Sequence, residues 1–454
     1  MTSVRDHSPN LDAIIATEER SFLERASLAS GYVRRAERSL AGGVTSSWQI
    51  SEPQPIWIDR GQGSRVWDVD GNELIDYHGG YGAMLAGHAH PAVVTAVRER
   101  VGRGTHFAQP TEDALVVAEE LVDRYRQPLW RFANSGTETT MDAIHLMRAV
   151  TGRDLIIKFE GGYHGHHDAV MVSVWNEDDL GPEARPRAVA AGTGIPQAMV
   201  DLTLVATFND LGLVEQLLEE NAGSVAGVIV EPILQNCGIL IPEKGFIAGL
   251  REVTSRHGVL LTFDEVKTGL TVGRGGATAY FDVTPDITCL AKSLGGGLPI
   301  GAIGGSREVM GAIVDGTYDQ VGTFNGNPLS MAAARAMLTE VMVPDTYEHL
   351  EKLQTRMRQG AEEVIRRHGL PAHVAHSGAK GSVIYSTEPL RTYRDFLAVD
   401  GRYAHAAWLY QFNRGVFLPP WGKGEQWLIS VQHTLDDIDR YVETLDGFAA
   451  TLVA

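Results

Sequence analysis

The chain has 454 residues, 44% of them apolar, and a net charge of −18, an ordinary globular composition with an acidic balance. That charge argues against nucleic acid and against acidic membrane surfaces as partners, and no apolar run approaches membrane-spanning length. Only Cys237 and Cys289 are present, so no disulfide framework is needed and a reducing cytoplasm is the expected setting. The length exceeds what one simple core holds, so more than one domain is expected.

Residues 1–10 are polar and lack the apolar core of a signal peptide; disorder is expected up to about Leu11. Over 11–40 the apolar residues Ile14, Ile15, Phe22, Leu23, Leu28 and Val33 stand among charged ones. That pattern predicts a helix, which Gly42-Gly43 ends. Residues 55–77 read as two or three short strands, with Asp70-Gly71-Asn72 as a hairpin turn. From Pro91 onward helices alternate with apolar runs at 155–159, 202–206, 225–231, 259–263, 287–291 and 301–304. The alternation predicts a mainly parallel sheet flanked by helices. Residues 192–196 mark a long loop, 328–343 a helix of small apolar residues and 346–367 a charged helix. The tail mixes strands near 383–385 and 427–431 with helices near 403–413 and 435–445.

Four places along this pattern carry side chains suited to chemistry. Trp130-Arg131-Phe132-Ala133 reads as a short strand and 139–149 as a helix, with Ser135, Gly136 and Thr137 between them. Free N–H groups at a helix start, with hydroxyls and a glycine, can cradle a phosphate; the same residues also make a plain helix cap. Tyr163-His164-Gly165-His166-His167-Asp168 invites a metal reading, but no HExxH or CxxC pattern supports it. No metal is expected, and a flat face such as Tyr163 or His164 stacking on a ring fits better.

Asp264 ends the apolar run Val259-Leu260-Leu261-Thr262-Phe263, and ligands of open α/β sheets gather at such strand ends. A carboxylate there could hold a pyridine nitrogen in its protonated form, a pairing of roughly 4 kcal/mol at about 4 Å and an effective dielectric of about 20. Lys292 follows the apolar run Ile287-Thr288-Cys289-Leu290-Ala291 and precedes Ser293-Leu294-Gly295-Gly296-Gly297. A glycine run lets a flat molecule approach closely, and a primary amine condenses with an aldehyde. Pyridoxal phosphate is the aldehyde that proteins commonly hold in this way. Taken alone, a lysine before a Gly-rich turn is also what a surface charge looks like.

Taken in order, Asn134-Ser135-Gly136-Thr137-Glu138, Tyr163-His164-Gly165-His166, Val230-Glu231-Pro232, Phe263-Asp264-Glu265-Val266, Ala291-Lys292 and Gly322-Thr323-Phe324-Asn325-Gly326-Asn327-Pro328 resemble the class III pyridoxal-phosphate-dependent aminotransferases. Trp67-Asp68-Val69-Asp70-Gly71 and Gly87-His88-Ala89-His90-Pro91 support the likeness, which spans roughly Gly42 to Thr434 and is nearest the glutamate-1-semialdehyde 2,1-aminomutase branch. The resemblance implies an α/β chain of fold type I. A large domain at about 80–340 would carry a mainly parallel seven-stranded sheet, and 1–79 with 341–454 would form a small α+β domain. It implies pyridoxal 5′-phosphate linked to Lys292, which also acts as acid and base. Asp264 would lie on the ring nitrogen, with Val266 and Tyr163 on the ring faces. Ser135, Gly136 and Thr137 would hold the phosphate, and Asn236 the ring hydroxyl. Thr323 would reach the phosphate from the neighbouring subunit of a homodimer.

One departure bears on the substrate. The aminomutases carry an arginine for the substrate carboxylate shortly after a Gly-Gly-Val-Asn-Ser segment. Here Gly42-Gly43-Val44-Thr45-Ser46-Ser47-Trp48-Gln49 puts Gln49 at that position, and a neutral amide cannot make the paired charged bonds of a guanidinium. The loop after His166 also differs, with Ser173-Val174-Trp175-Asn176-Glu177 in place of a Lys-Ala-Gly-Ser-Gly run. Trp48, Gln49, Tyr81, Asn176 and Glu425 are the candidate substrate residues, Trp175 could add aromatic surface, and Lys423 or Arg414 could anchor a keto acid. The expected activity is amino-group transfer between a bulky, apolar amine, amino acid or β-amino acid and a keto acid, with aminomutase-type transfer within one substrate as the alternative.

Overall fold

The computed structural model of the chain describes residues 10–453 apart from Trp421 and Glu425. The expectation for residues 1–9 therefore lies outside the described residues. The chain forms two compact units. One comprises the chain up to His90, Glu348–Pro389 and Ala398–Ala454; the other comprises Pro91–Tyr347 and Leu390–Leu397. These divisions fall later in the chain than 79/80 and 340/341, and the excursion Leu390–Leu397 has no counterpart in the sequence reading.

The second unit is built on a seven-stranded sheet. In chain order its strands are β1 (Leu129–Ala133), β2 (Leu155–Phe159), β3 (Thr203–Ala206), β4 (Val225–Val230), β5 (Leu260–Asp264), β6 (Ile287–Ala291) and β7 (Gly301–Gly305). They lie in the order β1-β7-β6-β5-β4-β2-β3. Strand β7 pairs antiparallel with both neighbours, and the remaining pairs are parallel. All of β4 and β6 is buried, which is why these strands read as unbroken apolar runs rather than as alternation. The helix Gly136–Thr151 covers one face, with Ala143, Ile144 and Met147 packed among Ile156, Ala226, Ile287 and Ile303. A Cβ on Gly227 would sit 1.9 Å from Met147 Sδ, so this glycine lets the helix lie directly on β4.

The first unit carries two small sheets. One orders Ile58–Gln62, Arg65–Asp68, Glu73–Asp76 and Val416–Phe417; the other orders His373–Ser377, Lys380–Ile384 and Trp427–Leu428. The expected hairpin is present, pairing Val66 with Leu74 and Trp67 with Glu73. The single helix expected over 11–40 is two helices, Leu11–Arg25 and Ser27–Ala36, parted at Ala26. The break frees N–H groups that a continuous helix would pair internally. The Asp70 carboxylate accepts two of them, from Leu28 at 2.6 Å and Ala29 at 3.0 Å. The helix expected over 328–343 runs Pro328–Ala336 and then widens into a π turn, Met337–Val341. Strands His373–Ser377 and Val416–Phe417 escape the sequence reading because one is polar and the other has two residues. Among the described residues no helix is long and apolar enough to cross a membrane.

Candidate active site

In the second unit, parallel strands end where their side chains can meet. Asp264 is the last residue of β5, Glu231 follows β4, the Tyr163 loop follows β2 and Lys292 follows β6. Asp264 is buried, and its two oxygens have separate partners. Oδ2 lies 2.8 Å from His164 Nδ1, and Oδ1 accepts the Val266 N–H at 3.1 Å. His164 is buried, and among the described residues its Nε2 has no partner. Its ring meets Asp264 through its edge, at Nδ1.

Lys292 adopts φ +49°, the left-handed region that disfavours a residue with a side chain. It opens the short turn Lys292–Gly295. Burial holds its amine below the ordinary lysine value, against the opposing pull of the Asp264 and Glu231 carboxylates. A lower proton affinity leaves more of the amine neutral, the form that attacks a carbonyl.

Tyr163 is partly buried, and its ring stacks on Trp175 with centroids 5.1 Å apart and planes 22° apart. Burial and the Asp264 charge push its phenol up to about 12, so it stays neutral. Its N–H donates to Glu231 Oε1 at 3.0 Å, and the other oxygen of that buried carboxylate accepts the Gln235 N–H at 3.1 Å. Asn236 follows on a loop closed by the pairing of Leu234 with Leu240. Lys267 Nζ donates to the Gln235 carbonyl at 2.7 Å.

The strand β1 leads into the helix Gly136–Thr151, which Ser135 caps by accepting the Glu138 N–H at 3.2 Å. The Glu138 carboxylate in turn accepts the Asn134 N–H, a reciprocal cap. The N–H groups of Gly136 and Thr137 lie ahead of the helical ladder. Thr137 Oγ1 accepts the His166 N–H at 3.1 Å. A Cβ on Gly136 would lie 3.0 Å from both Val266 methyls, and one on Gly165 would lie 2.6 Å from Thr137 Cα. These two glycines bring Val266 and the Tyr163 loop onto the helix start.

Asn176 fastens its own loop: Nδ2 donates to Ala190 O at 3.1 Å, and its carbonyl accepts the Tyr393 hydroxyl at 2.9 Å. Thr323 is exposed beside Val321 and Phe324, which are 82% and 58% exposed. Trp48, Gln49 and Tyr81 belong to the first unit. There the Tyr81 hydroxyl donates to Trp48 O at 2.6 Å and the two rings meet edge to face. Gln49 Oε1 accepts from the Thr45 N–H at 3.0 Å and the Thr45 hydroxyl at 2.7 Å. Arg414 is not a spare anchor, because its guanidinium is taken by Glu18 at 3.0 Å and lies over the Tyr410 ring. Glu425 lies outside the described residues. Among the described residues no group of three or more His, Cys, Asp or Glu is placed to hold a metal.

Sequence reasoning missed several residues here: His164 as the partner of Asp264, Lys267, and a clamp on the start of the Tyr163 loop. In the clamp, buried Glu160 receives both arms of Arg394, at 3.0 and 2.8 Å, and Arg394 also donates to Leu180 O and Gly181 O. The Tyr393 ring fills the space beside Gly161. These contacts hold Leu390–Leu397 in the second unit. Nothing local signals a pair 234 residues apart.

The donor set fits pyridoxal phosphate. It offers an amine of lowered proton affinity, a fixed buried carboxylate, a neutral aromatic ring, a branched aliphatic side chain packed on the helix start, and N–H groups ahead of the helical ladder. The chain matches the family model Aminotransferase class-III over residues 48–400. It is 39% identical over 414 residues to the glutamate-1-semialdehyde 2,1-aminomutase of Desulfitobacterium hafniense, covering 90% of this chain and 95% of that protein. An omega-transaminase from Sphaerobacter thermophilus superposes with a TM-score of 0.88 at 34% identity, over 93% of this chain and 97% of the other. A glutamate-1-semialdehyde-aminomutase from Pseudomonas aeruginosa in complex with PMP superposes with a TM-score of 0.89 at 29% identity, over 98% of each chain.

Proposed function

The chain belongs to the class III aminotransferases, a family of pyridoxal-phosphate-dependent enzymes, and we propose that it moves an amino group between two molecules. One would be an amine, amino acid or β-amino acid with a bulky apolar part, the other a keto acid. When bound, the cofactor supplies an electron-withdrawing ring that stabilises negative charge at the substrate carbon. Lys292 holds the cofactor covalently and carries the proton to and from that carbon. Asp264, fixed by His164, keeps the ring nitrogen protonated. Tyr163 and Val266 bracket the ring, Asn236 meets its hydroxyl, and the open N–H groups at Ser135, Gly136 and Thr137 receive the phosphate.

The observation that supports transfer between molecules is Gln49. At the position where the aminomutases carry an arginine, this chain has an amide whose oxygen is held by Thr45. A site without that guanidinium loses its bidentate grip on the carboxylate of glutamate 1-semialdehyde. The likeness to the Desulfitobacterium aminomutase favours the second reading, transfer within one substrate. Stoichiometry separates the two. The cofactor-loaded enzyme is mixed with an arylalkyl amine and pyruvate or 2-oxoglutarate. Amine loss matched by a new amino acid supports the first reading. Isomerisation of glutamate 1-semialdehyde with no keto acid present supports the second and sinks the first.

Thr323 supports a two-fold dimer with shared sites. It stands exposed between the apolar side chains of Val321 and Phe324, a segment suited to burial against a second copy. A fully active monomer on sizing would rule this out.

A further inference from the structure

Lys267 lies three residues beyond Asp264 and only partly reaches solvent. Its amine is turned onto the Gln235 carbonyl, 2.7 Å away. That carbonyl belongs to the peptide group joining Gln235 to Asn236, so the bond fixes the plane from which Asn236 departs. The preceding peptide is fixed by the opposite charge, since the Gln235 N–H donates to Glu231 Oε2 at 3.1 Å. Glu231 uses its other oxygen on the Tyr163 N–H at 3.0 Å. An ammonium and a carboxylate therefore tie together the loops that carry Tyr163 and Asn236.

Packing alone does not call for a lysine here. Burial and the like charge of Lys292 hold its amine down to about 8, with Glu231, Cys237 and Asp264 pulling the other way. An aliphatic side chain of similar length would fill the space without that loss of hydration. The charge is matched instead to one carbonyl, and charge-assisted hydrogen bonds orient their partners more firmly than neutral ones.

We propose that Lys267 is a positioning residue that aims Asn236 at the cofactor ring, acting with Glu231 as a yoke between the Asn236 loop and Tyr163. The proposal rests on the reading of Asn236 as the partner of the ring hydroxyl.

The test is a four-way comparison of wild type, K267M, N236A and the double variant. Each is stripped of cofactor and titrated with pyridoxal phosphate, and the dissociation constant and the visible absorption maximum are read. N236A and K267M are each expected to weaken binding by about tenfold, as for one lost oriented hydrogen bond, and to move the absorption maximum in the same direction. The double variant is expected to be no weaker than N236A alone. If N236A responds while K267M matches wild type, or if the two losses multiply, the yoke is wrong and the role of Asn236 stands. If N236A is silent, both fall together. Should K267M fail to fold, the polar and shorter K267Q takes its place, and the same outcomes support or overturn the yoke.

Discussion

His164 Nδ1 stands 2.8 Å from Asp264 Oδ2, and both residues are buried. The imidazole fixes one oxygen of the carboxylate, and the Val266 N–H fixes the other. A carboxylate held on both oxygens does not swing, so its charge stays aimed at one place. H164F is expected to retain the cofactor and lose about ten- to a hundredfold in kcat, the effect typical of an orienting partner. D264N should lose most turnover with the cofactor still bound. Turnover measured at matched cofactor occupancy checks both, and near-normal D264N activity would remove the ring-nitrogen role.

Lys292 is the expected point of covalent attachment. Borohydride reduction of the loaded enzyme, followed by peptide mapping, should place the label on the peptide that contains it. K292A should show no label and no visible absorption band. A label on Lys267, the neighbouring amine, would reassign the chemistry.

Gly165 has φ +100°, and a Cβ there would lie 2.6 Å from Thr137 Cα. G165A adds a methyl where backbone is already in the way, in a conformation that side-chain-bearing residues avoid. Strain of this kind costs of the order of 1–3 kcal/mol. The weakening should appear both as a lower melting temperature and as poorer cofactor affinity, because Thr137, which we propose for the phosphate cradle, must shift. Unchanged affinity would show that the loop relaxes elsewhere.

Arg394 answers a carboxylate that is itself buried, and burial, with the like charge of Glu183, raises the proton affinity of Glu160 against the pull of Arg394. R394A leaves that acid unpaired, at a cost of about 3 kcal/mol. E160Q combined with R394M should recover part of it, since neither charge is then stranded. Denaturant melts of the three proteins measure this directly. Equal stability of R394A and wild type would mean that water replaces the arginine.

His167 sets an acid limit. Burial, followed by the charges of His164, His145 and Arg148, lowers it from 6.5 to about 4. Its folded value is below its unfolded one, so between these pH values the unfolded chain binds a proton that the folded chain refuses. The associated stability is therefore fully present above pH 6.5 and lost as pH falls toward 4, amounting to roughly 3 kcal/mol. H167N should flatten that part of the stability curve. A curve of unchanged slope in the variant would count against the assignment.

The order of motifs from Asn134 to Lys292 was readable in the sequence, because each falls at or soon after the end of a strand and strands announce themselves by apolar runs; Gly322–Pro328 instead lies beyond the helix Arg307–Val314. The same logic located Asp264 and Lys292, one on the last residue of a strand and the other just past it. Helix continuity was less readable: 11–40 looks unbroken until Asp70, on a distant hairpin, accepts the N–H groups freed at Ala26.

Local chemistry thus determined which residue types could take part: an amine, an acid, an aromatic ring and a helix start. Tertiary structure alone decided what each is bound to. It made His164 the partner of Asp264, set Asn176 between Ala190 and Tyr393, and brought Lys267 to Gln235 and Arg394 to Glu160. Periodicity is written in neighbours along the chain, whereas hydrogen bonds between buried groups are chosen by whichever donors and acceptors the packed strands bring within about 3 Å of one another.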